Sequence, residues 1–265
     1  MTPSVPEGAK PGKPAYTPPR KRYAARFVGV YAALFVVLAA GVTGLVLLVT
    51  QPAKKAAPIW SSWKPVGNDP ALIANQIAQY VSGEYLFKDG KALVGIQAAE
   101  PSVFAVSSGA SIPVQAVVLR GQAAVKGSIV VHPTNHALQY QLCGGGTGCS
   151  IGRGKPSAAR GVVVRREAVE LALYTFKYVP AIDSVIALLP PVAQKPQLAV
   201  YVRRSDLAAQ LRSPLRISLP PTPPIPSSGG TLRELPVDEV ALSKVFKSQP
   251  QQLQDGAAAL VLDPA

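Results

Sequence analysis

One stretch decides what the rest of the chain can become. Phe27–Thr50, FVGVYAALFVVLAAGVTGLVLLVT, contains no Asp, Glu, Lys, Arg, His, Asn or Gln. As a helix it would extend roughly 36 Å at 1.5 Å per residue, enough to cross a hydrocarbon core of about 30 Å with some tilt. Lipid offers no partner to backbone N–H and C=O groups, so a lone span must be helical, and valine and glycine are tolerated there for that reason. The stretch predicts a single-pass membrane protein.

The flanks predict its orientation. Lys10, Lys13, Arg20, Lys21, Arg22 and Arg26 precede the span, whereas Lys54 and Lys55, with Lys64 further on, follow it. The bias places the N-terminus in the cytoplasm and the rest of the chain outside the plasma membrane. A cleaved secretory signal is the competing reading. The apolar run exceeds the usual core of about 7–15 residues, the leader is long, and Lys54 and Lys55 interrupt the small residues Ala53 and Ala56 where cleavage would fall. An uncleaved signal anchor is therefore expected. Among Gly29, Ala33, Gly41 and Gly44 only the first two are spaced for close helix packing, which gives slender support for pairing of spans.

The domain plan follows from composition. Residues 1–26 hold Pro3, Pro6, Pro11, Pro14, Pro18 and Pro19 among Gly and Lys, a basic tail with too little to bury and no expected fold. Residues 27–50 form the span and residues 51–68 a tether, in which Trp60 and Trp63 are read as packing into the base of the exterior domain rather than into an interfacial belt. Residues 69–219 form the extracytoplasmic domain. Residues 220–230, PPTPPIPSSGG, are a semi-rigid spacer. Residues 231–265 supply a helix at Val237–Phe246 and a strand at Ala258–Leu262 that can return to the main sheet. With 48% hydrophobic residues the chain can build a real core, which excludes global disorder.

Periodicity predicts an α+β class for that domain. Asp69-Pro70 opens a helix, Asp as N-cap and Pro preset for the first helical position, and Leu72, Ile73, Gln76, Ile77, Tyr80 and Val81 make its stripe up to a stop at Gly83. Five short β-branched runs follow: Ala92–Gln97, Val103–Val106, Ile112–Leu119, Ser128–Val131 and Ala137–Leu142. Their connections are too short for crossover helices, so a mainly antiparallel sheet is expected, with two or three helices packed on it. Arg165–Val179 reads as a helix apolar on most sides, with Arg166 and Glu170 pairing on its exposed strip and Glu167 on its surface. Asp183–Pro190 and Gln197–Arg203 read as a hairpin, and Ser205-Asp206 as the cap of a short helix to Arg212.

RREAVELALYTFKYV followed by DSVIALLPP, within Val163–Pro191, resembles a recurring segment of uncharacterised single-pass membrane proteins of high-GC Gram-positive bacteria. The resemblance implies a membrane-anchored envelope protein. It brings no activity and no catalytic residue.

The sharpest local chemistry is Cys143-Gly-Gly-Gly-Thr-Gly-Cys149. Outside the membrane, two cysteines separated by small residues most simply form a disulfide, and the glycines let so short a loop close. A nucleotide loop is excluded, because Gly154-Lys155 lacks a glycine at 149 and is followed by Pro156. Arg153, Lys155, Arg160 and Arg165 then follow with no acidic residue before Glu167, a candidate anion-binding patch. The blander reading puts these cations on a solvated loop and the outer face of the next helix. His132-Pro-Thr-Asn-His136 with the two cysteines would be a zinc inventory, but Pro133 and the β flanks argue against the helical spacing such a pair needs, so no metal or other cofactor is expected.

Catalytic constellations are missing. Neither histidine lies near a Gly-x-Ser-x-Gly turn, which the chain lacks, and there is no Cys-x-x-Cys. The formal charge of +13 would suggest nucleic acid in a cytosolic protein. Outside the membrane the anionic partners in reach are lipid headgroups and wall polymers, so no nucleic-acid partner is expected. The sequence thus points to a non-enzymatic accessory or scaffolding component of a cell-envelope complex, with a membrane or envelope protein as partner. The alternative is an extracytoplasmic module for an anionic lipid or polymer, and a hydrolase is the least supported reading.

Overall fold

The structure, a computed structural model, describes residues 22–50, 59–104, 111–121, 129–151, 157–225 and 236–265. The chain divides into two compact units, residues 1–57 and 58–265. The first is built on helix α1, Arg22–Thr50, in which Arg26–Val46 is long and apolar enough to cross a membrane and buries nothing against protein.

The second unit opens with helix α2, Pro70–Glu84, started as its sequence demands: the Asp69 carboxylate accepts from the Ala71 N–H at 3.0 Å and Pro70 takes the first turn. Its buried face is Ile73, Ala74, Ile77, Ala78 and Val81, while Leu72 is exposed and Gln76 reaches back to bond both the N–H and C=O of Val66. Nine strands follow: β1 Gly95–Ala99, β2 Ser102–Phe104, β3 Ser111–Arg120, β4 Ile129–Pro133, β5 Ala137–Cys143, β6 Ser184–Leu188, β7 Leu198–Arg203, β8 Val245–Gln252 and β9 Ala258–Pro264. Helix α3, Ala158–Tyr178, lies between β5 and β6. The short helices α4 (Ala208–Arg212) and α5 (Leu215–Ser218) follow β7, and α6 (Pro236–Ser243) precedes β8.

The sheet runs β1-β5-β6-β7-β8-β9-β3-β2, with β4 also on β3. Antiparallel pairing dominates, but β5 with β6 and β3 with β9 are parallel. The first of these is possible because α3 supplies the crossover that parallel strands require.

This sheet is not flat. In a flat sheet, β7 and β4 would be separated by four strand spacings, about 19 Å. Yet the ring of Tyr201 on β7 stacks on that of His132 on β4 with centroids 6.0 Å apart. The far ends meet as well. The Gln139 side chain on β5 accepts from the Ser102 N–H at 3.3 Å and donates to the Ser102 carbonyl at 3.0 Å. The sheet therefore curls into a barrel-like layer closed partly by side chains. Its concave side holds one core, including Val117, Ile186, Tyr201, Phe246, Leu260 and Leu262. Its convex side carries α2, α3 and a second core that includes Ile77, Tyr140, Val169, Leu173, Val185 and Val202.

The tryptophans sit in the folded unit. Trp60 meets Tyr174 and Tyr178 edge-on at 5.4 and 5.8 Å, and Trp63 stacks on Tyr80 at 4.2 Å. The nine strands among the described residues are the eight runs anticipated from sequence, the hairpin and the last strand included, together with β8, which was not. The helix expected over Val237–Phe246 stops at Ser243, and Val245 and Phe246 begin β8, which lies between β7 and β9. The last strand does return to the main sheet.

Candidate functional site: an arginine cleft at the start of the long helix

The glycine loop and the arginines after it are joined by structure as well as by sequence. Cys143 and Cys149 form a disulfide across a Cα–Cα separation of 4.5 Å. The loop between them folds on itself: the Gly144 N–H donates to the Cys149 carbonyl and the Gly146 N–H to the Ser150 carbonyl, each at 2.8 Å. A Cβ at Gly144 would stand 2.1 Å from the Ser150 carbonyl oxygen, so only glycine permits this approach.

Beyond the loop, the Ser157 hydroxyl accepts from the Arg160 N–H at 3.3 Å and caps α3, seven residues ahead of the start that periodicity suggests. Arg160 and Arg165 then face one cleft of about 400 Å³. Its far walls are Leu189–Ala193, Leu198 and Val245, its polar groups are the two arginines with Ser150 and Ser157, and among the described residues no carboxylate lines it. Arg160 is only 4% exposed, its guanidinium lying 5.5 Å from the centre of the Phe87 ring. Arg165 is half-buried, one turn beyond Gly161, where a Cβ would come within 3.2 Å of its Nη1. The arginines are thus not the solvated outer face of the helix. Arg153 and Lys155 lie outside the described residues.

The chain matches no protein-family model, no curated protein and no solved structure. What can be said of function rests on the geometry.

Two further clefts bear on it. The larger, about 760 Å³, is bounded by His132, His136, Asp183, Tyr201, Arg203 and Arg204. Burial, and then the Arg203 guanidinium, holds His132 below the usual histidine range. Both cysteines of the zinc inventory are engaged in the disulfide, and among the described residues no three metal-ligating side chains gather. Arg204 is committed to structure: it donates to the carbonyls of Phe176 in the last turn of α3 and of Val179, Pro180 and Ile182 beyond it, and pairs with Asp183 at 3.6 Å.

The third cleft, about 310 Å³, exposes an error in reading α3 from sequence. Arg166, Glu167 and Glu170 are not surface positions; they are 1%, 0% and 6% exposed. Tyr85 donates its hydroxyl to Glu170 at 2.7 Å, and burial, the dominant influence, pushes the Glu170 carboxyl up to about 7. Burial raises Glu167 well above the usual carboxylate range, seconded by the Glu170 charge, and among the described residues neither of its oxygens has a hydrogen-bond partner. Arg166 donates to the Pro220 carbonyl, while its Nε and Nη1 have no hydrogen-bond partner among the described residues. The expected exposed Arg166–Glu170 strip does not exist. A signal for this was available, since a helix apolar on two faces leaves no strip wide enough for three charged residues.

Proposed function

We propose that the chain is a single-pass plasma-membrane protein with a cytoplasmic N-terminus, whose exterior domain is a non-enzymatic binding module for an anionic envelope ligand, a lipid headgroup or a wall polymer. The observation that carries this reading is the gathering of Arg160 and Arg165, with Ser150 and Ser157, along one cleft. Guanidinium groups form strong, geometrically defined hydrogen bonds to phosphate and carboxylate, and partial burial strengthens them by lowering the local dielectric. The apolar helix Arg26–Val46 supports the membrane address. In full-length protein reconstituted into nanodiscs of zwitterionic lipid, soluble polyphosphate should bind, and Arg165→Gln should weaken it about tenfold, the equivalent of ~1.4 kcal/mol. Equal binding by the variant would overturn the reading.

A second reading, docking to a membrane or envelope protein, is favoured by strand β4. Its Ile129 and Val131 are 61% and 59% exposed, and among the described residues it pairs only with β3. An edge strand with exposed apolar residues is ready to accept a strand from another chain. Affinity purification from mild detergent with quantitative mass spectrometry should recover a stoichiometric partner that Val131→Lys loses. Retention by Val131→Lys would remove this edge as the docking surface.

A further inference from the structure

Resting on the reading of α1 as a membrane span, and independent of the arginine cleft, we infer that the second unit docks on the bilayer surface through an apolar patch of Ile59, Val66, Leu72 and Ile217. Among the described residues of that unit, Ile59, Val66 and Ile217 are the most exposed large apolar side chains, at 81, 76 and 67%. Scattered singly, such residues would need no account. They are not scattered. From Trp60 to Val66 burial alternates along the chain, Trp60, Trp63 and Pro65 turning in and Ser62, Lys64 and Val66 turning out. The Trp60 carbonyl accepts from the Leu215 N–H at 2.7 Å, and this brings the short helix α5, which carries Ile217, beside Ile59. At the other end Val66 is held by Gln76, which shares a face of α2 with the exposed Leu72 one turn earlier.

What surrounds the patch identifies its occupant. Trp60, Trp63, Tyr80, Tyr174 and Tyr178 pack ring against ring beneath it, and such amphipathic rings collect at the level of lipid headgroups. Lys64 and Arg216 are exposed at its margin, and Lys177 holds its ammonium 5.4 Å from the centre of the Trp60 ring. Among the described residues none of the three forms an ion pair, so their charge is open to phosphate. Two acids adjoin the patch: Asp69, engaged as the cap of α2, and Glu84 in the third cleft. The chain itself brings lipid within reach. Only residues 51–58 separate α1 from Ile59, at most about 29 Å of chain. A surface apolar at its centre, cationic at its edge and tied to a span by so short a link suits a bilayer interface containing anionic lipid.

The test uses the full-length protein in nanodiscs of phosphatidylcholine and phosphatidylglycerol, with and without a nitroxide on the acyl chains near the headgroup. Because Cys143 and Cys149 are joined in the disulfide, a bimane fluorophore can be attached to one added cysteine at a time: Val66→Cys, Ile217→Cys or, for comparison, Ile129→Cys on β4. Docked apolar side chains lie about 5–10 Å into the interface, so nitroxide should quench bimane at 66 and 217 at least twofold more than at 129. Position 217 decides, since a tether alone would hold only the start of the unit near lipid. Ile59→Asp with Lys64→Glu alters exposed side chains only; it should remove most of the excess at 217 and leave the near-ultraviolet circular dichroism unchanged. Protein that enters the discs yet shows equal quenching at 217 and 129, or an excess that this double variant leaves intact, overturns the docking and leaves the span standing. Protein that elutes apart from the discs overturns the span, and the docking falls with it.

Discussion

Glu170 shows how far a single side chain can set the behaviour of this domain. Its carboxyl is pushed up to about 7 because burial penalises the charged form more than Tyr85 and Arg166 favour it. In the unfolded chain the same group titrates near 4.3. Between those values the folded state holds a proton that the unfolded state has released, so stability is greatest below the unfolded value and is lost as pH rises through about 7. The loss attributable to this residue is on the order of 4 kcal/mol, at about 1.4 kcal/mol per unit. Glu167, buried and without a hydrogen-bond partner among the described residues, pushes the same way. Trp60 and Trp63 are the only tryptophans and both pack in the folded unit, so their fluorescence reports its unfolding in the full-length protein. Urea unfolding should therefore show the domain more stable at pH 5 than at pH 7.5, and Glu170→Gln should flatten that dependence by raising stability at the higher pH. An unchanged pH slope in the variant would show that Glu170 ionises freely in the fold.

At the scale of elements, what was legible in the sequence was what local chemistry decides. Asp69-Pro70 announced α2, and the β-branched runs announced β3 and β5 to within a residue, because cap geometry and alternation act over a few neighbours. The disulfide was legible for the same reason, two cysteines and a run of small residues in one short loop. Strand β8 was not. VFKSQPQQ has polar side chains, little alternation and a proline, and it becomes a strand because β7 and β9 flank it. Pro250 is tolerated since beyond Ser248, whose N–H still reaches the Gln197 carbonyl, β9 is the strand's partner among the described residues. The start of α3 was missed because its first turns, Ala158 to Val164, continue past Gly161 with no polar stripe to mark a helix, although Ser157 stood in place as a cap. Of the candidate site, the arginines were legible as charge; the wall they face, Leu189 to Val192 and Val245, comes from distant segments and could not be.

Across the whole molecule, closure of the sheet depends on its last strand. β9 pairs parallel with β3, Val114 beside Ala258 and Leu119 beside Leu262, and antiparallel with β8 along Phe246 to Gln252. Ala258, Leu260, Val261 and Leu262 are each no more than 2% exposed, and Leu260 and Leu262 sit in the concave core beside Val117 and Phe246. Without β9, strands β3, β2 and β4 have no ladder to the rest of the sheet, and what holds them is the Gln139–Ser102 bridge, the stacking of His132 on Tyr201 and a concave core with its floor removed. Contacts spanning so much of the chain are entropically expensive to form, and only the full set of them offsets that cost. Removal of Ala257–Ala265 should therefore abolish cooperative unfolding of the second compact unit in the full-length protein. Limited proteolysis of membranes should find the truncated domain cut rapidly within β3 and β4, segments the intact protein protects. A truncated protein that resisted protease as the intact one does would mean that β1 and β5 to β8 form a self-sufficient sheet, and that β9 seals the barrel without being needed to build it.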